Sequence, residues 1–140
     1  VEIYGSLGLL DTEFSGYLDE DGNVEPGRDQ AHAPNYQFNV GLNYFISEQW
    51  QFNVAVDGKD AFYFSDSHNE KSESVALLHG SISYSVQDWQ VKLWARNILD
   101  KTYQTRGFYF GNDPRDGYTG KSYYQFGEPA VFGLTLDYNF

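Results

Sequence analysis

Several residue types and patterns are scarce or missing in this chain of 140 residues. It has no Cys, which excludes a disulfide scaffold, a thiolate metal site and a Cys nucleophile. No apolar stretch approaches the roughly 18 residues of a membrane-spanning helix. Basic residues number 9 against 20 acidic, and a net charge of −11 argues against nucleic acid as a partner. The chain also lacks an initial Met and a basic-then-apolar leader, so we expect a processed product or part of a longer chain.

Aromatic residues, in contrast, are abundant. Tyr, Phe and Trp make up 19% of the chain, although the mean hydropathy is only −0.56. Disordered chains avoid aromatic residues, so this composition indicates a folded chain. At this length a single domain is the default.

Apolar and polar residues alternate along most of the chain. Every even position from Tyr36 to Ile46 is apolar, and residues 132–140 repeat the pattern. A period of two is typical of strands with one apolar and one polar face. The pattern predicts an all-β fold of about six strands, at residues 1–17, 35–47, 49–63, 74–86, 88–110 and 130–140. Tight turns at 47–49 and 86–88 alternate with long links at 18–34, 64–73 and 111–129, as in an up-and-down antiparallel meander.

The apolar faces of such strands can meet either a protein core or lipid. In a soluble sandwich they point inward, and in a membrane barrel they point outward. Three features favour lipid: short turns at one end with long loops at the other, an opposite face rich in amides and hydroxyls, and aromatic residues at the stripe ends. These aromatic residues are Tyr36, Tyr44, Trp50, Tyr84, Trp89, Tyr138 and Phe140. A soluble all-β carbohydrate-binding module and a small self-contained outer-membrane barrel remain as alternatives.

The last predicted strand has apolar residues at every second position and ends on an aromatic residue. These residues are Phe132, Leu134, Leu136, Tyr138 and Phe140. The pattern resembles the carboxy-terminal assembly signal of bacterial outer-membrane proteins. The resemblance implies that the outer-membrane insertion machinery is a partner, which would pair with an exposed strand edge.

A more specific resemblance lies at residues 97–103, which read Asn-Ile-Leu-Asp-Lys-Thr-Tyr. This run resembles the Asn-Leu-Phe-Asp-Lys-Lys-Tyr element of TonB-dependent outer-membrane receptors. Residues 127–133 are similar to the family's Gly-x-Pro-Arg-x-aromatic-Gly run, with Ala130 in place of the usual Arg. Residues 33–38 resemble the family's entry from a loop into a strand.

The resemblance implies that residues 1–140 are the carboxy-terminal segment of a plugged barrel of about 22 strands, with the plug domain outside this sequence. The tight turns would be periplasmic and the long links extracellular. The family imports scarce nutrients, such as ferric siderophores, haem, cobalamin or glycans, and is not enzymatic. The implied partners are outer-membrane lipid, the rest of the barrel, its plug and, through the plug, the TonB system.

The last long link and the strand before it contain the candidate ligand-binding residues. These are Arg106, Tyr109, Arg115, Tyr118, Tyr123 and Tyr124. Arginine binds oxyanions with two parallel hydrogen bonds and aromatic rings stack, which suits an anionic or aromatic ligand such as a siderophore. Tyr together with Asn and Asp also suits a sugar. The alternative is a loop that only packs on its neighbours.

For the histidines and the acidic run, we expect structural roles and neither catalysis nor metal binding. His79 shares the polar side of its strand with Ser81 and Ser83, but nothing marks a nucleophile, so we expect a hydrogen-bonding role and no catalysis. The acidic run at 19–25 is similar to a calcium loop, yet it lacks the full spacing with a final Glu and is interpreted as a solvated loop. His32 and His68 have no second partner nearby in sequence, so we expect no metal and no cofactor.

Overall fold

The computed structural model of the protein describes residues 1–16, 18, 22–24 and 27–140. These residues form eight strands: β1 (Glu2–Leu9), β2 (Tyr36–Phe45), β3 (Trp50–Lys59), β4 (Val75–Val86), β5 (Trp89–Arg96), β6 (Gln104–Phe110), β7 (Lys121–Phe126) and β8 (Val131–Tyr138). A short 3₁₀ turn, Pro114–Asp116, lies between β6 and β7. Within this part of the chain no helix is both long and apolar enough to cross a membrane.

Six of the strands form one antiparallel sheet in the order β1-β2-β3-β4-β5-β8. Strands β6 and β7 form a separate hairpin, inserted in the chain between β5 and β8. The six-stranded sheet confirms the predicted all-β, up-and-down meander. Among the described residues, the outer edges of β1 and β8 pair with no further strand.

The predicted strand at 88–110 is wrong in its second half. Strand β5 ends at Arg96, because Asn97 and Asp100 have φ angles of 47° and 49° and turn the chain away from the sheet. Residues 104–110 return as β6, which pairs with β7 rather than with the sheet. The link predicted at 111–129 therefore contains a strand of its own.

Two other predicted strands end early. Strand β1 stops at Leu9 rather than at residue 17, and residues 10–16 contain an isolated bridge from Phe14 to Arg28. The predicted end at residue 17 itself lies outside the described residues. Strand β3 stops at Lys59, four residues before the predicted end, and the chain then turns Phe62 into a buried position in the following loop.

The strand register aligns the apolar residues into continuous rows on one face of the sheet. Leu42, Val54, Gly80, Ala95 and Phe132 are paired in sequence across five strands. A neighbouring row contains Phe52, Ile82, Leu93 and Leu134 in the same way. Because side chains alternate along every strand, the amides, hydroxyls and charges lie on the opposite face.

Burial in this fold is the reverse of that in a soluble sandwich. The apolar sheet face is uncovered, with Phe132 71% and Leu134 65% exposed. The buried apolar residues among the described ones are Ala33, Phe62 and Phe64, which all lie in the long links. An exposed apolar face of this extent indicates a surface that meets lipid or another apolar partner.

Aromatic pairs lie at the tight-turn end of the apolar face. The rings of Trp50 and Tyr84 are 4.7 Å apart, and those of Trp89 and Tyr138 are 4.6 Å apart. Both pairs join residues that are directly opposite in register. Such a row of rings at one end of the strands is typical of an interfacial aromatic girdle.

On the polar face, aromatic rings lie across glycines of the neighbouring strand. The indole of Trp94 covers Gly133, where a Cβ would overlap the ring. Tyr4 covers Gly41 in the same manner, and its hydroxyl accepts a hydrogen bond of 3.1 Å from the Asn53 amide. A side chain at either position would overlap the ring, so the ring or the strand would have to shift.

Candidate ligand site in the long links

Arg28 connects the first long link (residues 10–35) to the second (residues 60–74). Its guanidinium donates to the carbonyl oxygen of His68 at 3.0 Å and to that of Ser65 at 2.9 Å, and it also contacts the Asn69 amide oxygen. The same group lies 4.6 Å from the centre of the Tyr63 ring. One side chain thus holds both links in a fixed relation.

A small buried cluster lies within the second link. Phe62 and Phe64 meet edge to face at 5.6 Å, and both are nearly inaccessible. Ser72, also buried, exchanges two hydrogen bonds with the backbone of Phe62, at 2.9 and 3.0 Å. The second link therefore packs around buried residues of its own and is not a loop fully exposed to solvent.

The β6–β7 hairpin docks on this second link through one face. Gly107 and Tyr124 are opposite each other in the hairpin, and both contact the ring of Phe64. The Tyr124 hydroxyl donates a hydrogen bond of 2.6 Å to the Glu70 carboxylate. This hydrogen bond, with the nearby negative charge, raises the pKa of Tyr124 above its usual value.

Between β6 and the two links lies a depression of about 330 Å³, which we call the loop depression. It is lined by five consecutive residues of the hairpin, residues 106–110, and by His32, Phe64, Ser65, Ser67 and His68. Among the residues that the structure describes, none that lines the depression is acidic. The lining combines hydrogen-bond donors with aromatic rings.

Arg106 and His68 both line the loop depression and differ in what their side chains contact. Within the described part of the chain, the Arg106 side chain makes no hydrogen bond or ion pair, and its residue is exposed. His68 accepts a hydrogen bond of 3.3 Å from the Glu70 backbone at Nδ1, so in the neutral ring the proton is on Nε2. The His68 ring lies 6.2 Å from that of Tyr109.

The six predicted ligand-binding residues do not form one cluster. Arg106 and Tyr109 line the loop depression. Tyr124 lies on the docked face, and Tyr123 lies on the other face, stacked on Phe110 at 4.8 Å. Arg115 and Tyr118 follow at the tip of the hairpin, both exposed.

At the hairpin tip, Arg115 is committed to Asp113. Its guanidinium donates to both carboxylate oxygens at 2.9 Å, and its backbone N–H donates to the same carboxylate at 3.0 Å. These bonds lower the pKa of Asp113 and raise that of Arg115. The carboxylate also caps the 3₁₀ turn that begins at Pro114.

Sequence reasoning did not assign His32 or His68 to the ligand site. The two residues come from different links, 36 positions apart, and only the docking of both links beside β6 brings them together. The predicted pairing of β2, β3 and β4 contained a signal, because it places the first and second links at the same end of neighbouring strands.

The motif at residues 97–103 joins two segments of the chain. The Asn97 amide, 2% exposed, donates to the carbonyl oxygens of Lys101 at 2.9 Å and Glu128 at 3.0 Å. Asp100 accepts a hydrogen bond of 2.8 Å from the Ala130 backbone. Ala130 thus contributes its backbone N–H, which any residue other than proline supplies.

His79 has the hydrogen-bonding surroundings predicted for it. Its Nδ1 accepts from the Asn97 backbone at 3.3 Å, and its Nε2 lies 3.0 Å from the Asp57 carboxylate. Asp57 also accepts a hydrogen bond from the Asn39 amide. The ring therefore joins β4 to the turn after β5 by a hydrogen bond and lies in contact with Asp57 of β3.

The acidic run at 19–25 falls mostly on residues outside the described ones, so its interpretation as a solvated loop stays a prediction. Among the described residues there is no group of three or more His, Asp or Glu that could hold a metal ion.

Two solved structures have a fold similar to that of this chain. No family model matches the chain. The siderophore receptor PiuA from Acinetobacter baumannii has a similar structure, with a TM-score of 0.75 over 97% of this chain and 17% sequence identity. The ferric yersiniabactin uptake receptor FyuA from Yersinia pestis is similar over 79% of the chain, with a TM-score of 0.66 and 18% identity.

The chain spans about a fifth of the length of these receptors, 19% of the first and 17% of the second. At this identity the likeness concerns the fold, and it confirms the resemblance drawn from residues 97–140 at that level. The six-stranded meander with its inserted hairpin has the fold of a β-barrel segment of TonB-dependent siderophore receptors.

Proposed function

We propose that the chain is the carboxy-terminal part of the barrel of a TonB-dependent outer-membrane receptor, which takes up a scarce nutrient such as a ferric siderophore. The observation that carries this proposal is the uncovered apolar face of the six-stranded sheet, opposite a polar face. Lipid outside and a water-filled or plugged lumen inside account for both faces. The protein is a transporter segment with no enzymatic activity of its own.

The soluble alternative fits the fold less well. A carbohydrate-binding module would bury its apolar stripes between two sheets. In this chain the second sheet is the β6–β7 hairpin, and it packs on the loop residue Phe64 instead of on the apolar face.

The self-contained barrel is disfavoured by the open sheet. In a closed barrel the first and last strands pair, which removes both edges. Among the described residues β1 and β8 lie at opposite edges of the sheet. We therefore propose that further strands of the same barrel continue from these edges.

The partners follow from the two faces and the edges. Lipid meets the apolar face, and the plug and the rest of the barrel meet the polar face and the sheet edges. The apolar stripe of β8, which includes Phe132, Leu134 and Leu136, would be the part read by the insertion machinery. Energy would reach the transporter from the TonB system through the plug.

Lipid contact can be tested by single-cysteine labelling in the complete receptor that contains this sequence. The 140 residues contain no Cys, so Leu93→Cys or Lys92→Cys introduces one thiol among them that can be labelled with a fluorophore. Position 93 lies on the apolar face of β5 and position 92 on the polar face. In bilayers with brominated acyl chains, we expect strong quenching at position 93 and little at position 92. Equal quenching at both positions, or a protein that stays monomeric without detergent, would contradict the proposal.

Uptake is tested separately from membrane topology. Deletion of the complete gene should reduce growth on a ferric siderophore as the iron source, and re-expression should restore it. If the deletion leaves growth unchanged with every iron source, although the receptor is correctly inserted in the parent strain, the transport proposal alone would be contradicted.

A further inference from the structure

One nitrogen of the His79 ring joins strand β4 to the turn after β5. Its Nδ1 accepts a hydrogen bond of 3.3 Å from the backbone N–H of Asn97. A ring nitrogen accepts only while it carries no proton, so this bond exists only when His79 is neutral. Asn97 is 2% exposed, so water does not readily replace the imidazole as the acceptor. The docked position of the turn therefore favours the neutral ring.

The other ring nitrogen has surroundings that favour the charged ring. Nε2 lies 3.0 Å from the Asp57 carboxylate of β3, in an electrostatic contact that lacks the geometry of a hydrogen bond. A carboxylate at this distance attracts a protonated imidazole. Asp57 belongs to the sheet and accepts a hydrogen bond from Asn39, so it stays beside the ring whether or not the turn is docked. Of the two contacts of the ring, only the bond to Asn97 depends on the position of the turn.

Protons can reach the ring from the polar face of the sheet, where His79 is 22% exposed and lines a depression of about 250 Å³. The charged groups of the elements around it are Asp57 of β3, Lys92 and Arg96 of β5, Glu128 before β8, and Asp100 and Lys101 of the turn. Carboxylates ordinarily protonate near about pH 4, and Lys and Arg stay charged at neutral pH. Imidazole changes its charge between about pH 5 and about pH 8. In this set, the group expected to titrate near neutral pH is therefore His79.

The position of Asn97 matters beyond this one bond. Its side-chain amide also donates to the carbonyl oxygens of Lys101 and Glu128, so it sets the base of the segment that contains the β6–β7 hairpin. The carbonyl oxygen of Leu78 accepts a second backbone hydrogen bond from the turn, at 2.9 Å, which does not depend on the charge of the ring. Loss of the bond to His79 therefore loosens the turn without detaching it.

We propose that His79 is a pH-sensitive latch, which holds the turn at 97–103 while its ring is neutral and loosens the turn when the ring is protonated. Protonation converts Nδ1 from an acceptor into a donor, so two N–H groups face each other and the Asn97 N–H must find another acceptor. Acid would thereby loosen the base of the β6–β7 hairpin. The latch goes beyond the proposed function, because it depends on contacts within this chain and on no particular ligand.

Hydrogen–deuterium exchange of the complete receptor in lipid nanodiscs tests the latch, with exchange rates corrected for the intrinsic effect of pH. In the wild type, the protection of amides in residues 97–103 should fall at least about tenfold between about pH 8 and about pH 5, because a buried N–H loses its acceptor. Residues 90–94 of β5, which are paired on both sides, should keep their protection. An equal fall in both segments would indicate general unfolding in acid and would overturn the latch.

Matched variants assign the effect to His79. His79→Gln cannot titrate, so the protection of residues 97–103 should no longer depend on pH, whereas His68→Gln, the same change in the second link, should leave the wild-type fall in place. Asp57→Asn removes the charge that attracts the protonated ring and should move the midpoint of the fall to lower pH. A wild type without the fall, a His79→Gln receptor with the same fall, or an unchanged midpoint in Asp57→Asn would overturn the proposal. Quenching at position 93 in the same nanodiscs reports insertion, so failure of the latch is distinguishable from failure of the barrel proposal.

Discussion

The side-chain amide of Asn97 donates a hydrogen bond of 3.0 Å to the carbonyl oxygen of Glu128, 31 residues further along the chain. One residue earlier, Arg96 forms an ion pair of 2.7 Å with the Glu128 carboxylate. The turn that ends β5 is thereby fastened to the segment that leads into β8. These contacts hold together the two ends of the segment 97–128, which contains the β6–β7 hairpin.

Replacement of Asn97 by Ala should be strongly destabilising, by about 3 kcal/mol, because the carbonyls of Lys101 and Glu128 lose their donor and the Lys101 N–H loses its acceptor. Asn97→Gly tolerates the φ of 47° and should still lose most of this amount, which separates the side chain from the backbone. Unfolding midpoints of the complete receptor in detergent give the measurement. Asn112→Ala, which removes an exposed hydrogen bond to Tyr123, is the control. Equal losses for Asn97→Ala and Asn112→Ala would refute the fastening role.

Tyr124→Phe should loosen the hairpin from the second long link, because it removes the hydrogen bond to Glu70. Limited proteolysis within residues 60–74 should become about two- to fivefold faster. Tyr118→Phe alters an exposed hydroxyl at the hairpin tip and should leave the rate unchanged. Equal cleavage of both variants would show that the Glu70 contact does not hold the link.

The same contact results in a pH dependence of defined sign. The pKa of Tyr124 is raised in the folded protein, so the stabilisation is fully present below the ordinary tyrosine value of 10.0 and is lost as pH rises through the higher folded value. The difference in tyrosinate absorbance between the wild type and Tyr124→Phe isolates this titration. Glu70→Gln should shift it to lower pH. A Tyr124 titration that does not respond to Glu70→Gln would show that Glu70 does not raise this pKa.

Leu134→Lys places a charge in the middle of the apolar face of β8, where Leu134 is 65% exposed. If this face meets lipid, the change should cost about 2–4 kcal/mol. Thr135→Lys, on the opposite face of the same strand, should cost about 1 kcal/mol, through the lost hydrogen bond from Trp94. Heat-dependent gel mobility of the inserted receptor measures both. Similar costs at the two positions would place water on both faces.

Gly133→Ala should destabilise the sheet by about 1–3 kcal/mol, because the new Cβ would overlap the Trp94 indole. Gly8→Ala is the matched change on β1, where the new Cβ would be 3.9 Å from the Gln37 carbonyl oxygen, an ordinary contact. Its effect should stay within about 0.5 kcal/mol. Trp fluorescence and the unfolding midpoint should both respond to Gly133→Ala. A neutral Gly133→Ala would mean that the indole does not occupy this space.

Much of the sheet was predictable because its signal is local. A period of two in the sequence states which residues share a face, and the uncovered row that runs from Leu42 to Phe132 follows from it once the strands pair. The end of β5 was less accessible to prediction. Residues 88–96 and 104–110 are both compatible with strands, and the turn between them depends on the fit of Asn97 against Glu128.

The candidate ligand site was only partly predictable. Composition suggested Arg106 and Tyr109, but the same reasoning grouped them with Arg115, which the structure pairs with Asp113. Consecutive residues of a strand point to opposite faces, which is why Tyr123 and Tyr124 have different surroundings. That difference required knowledge that residues 121–126 form a strand.

The sequence by itself determined that this chain forms an antiparallel meander with one apolar and one polar face, because apolar and polar residues alternate at adjacent positions of the chain. Only the tertiary structure decided which long links meet, that Arg28 holds two of them together, and that His32, His68 and Arg106 share one depression. These contacts join residues tens of positions apart in the chain. They depend on the docking of whole loops, for which no local pattern in the sequence provides a signal.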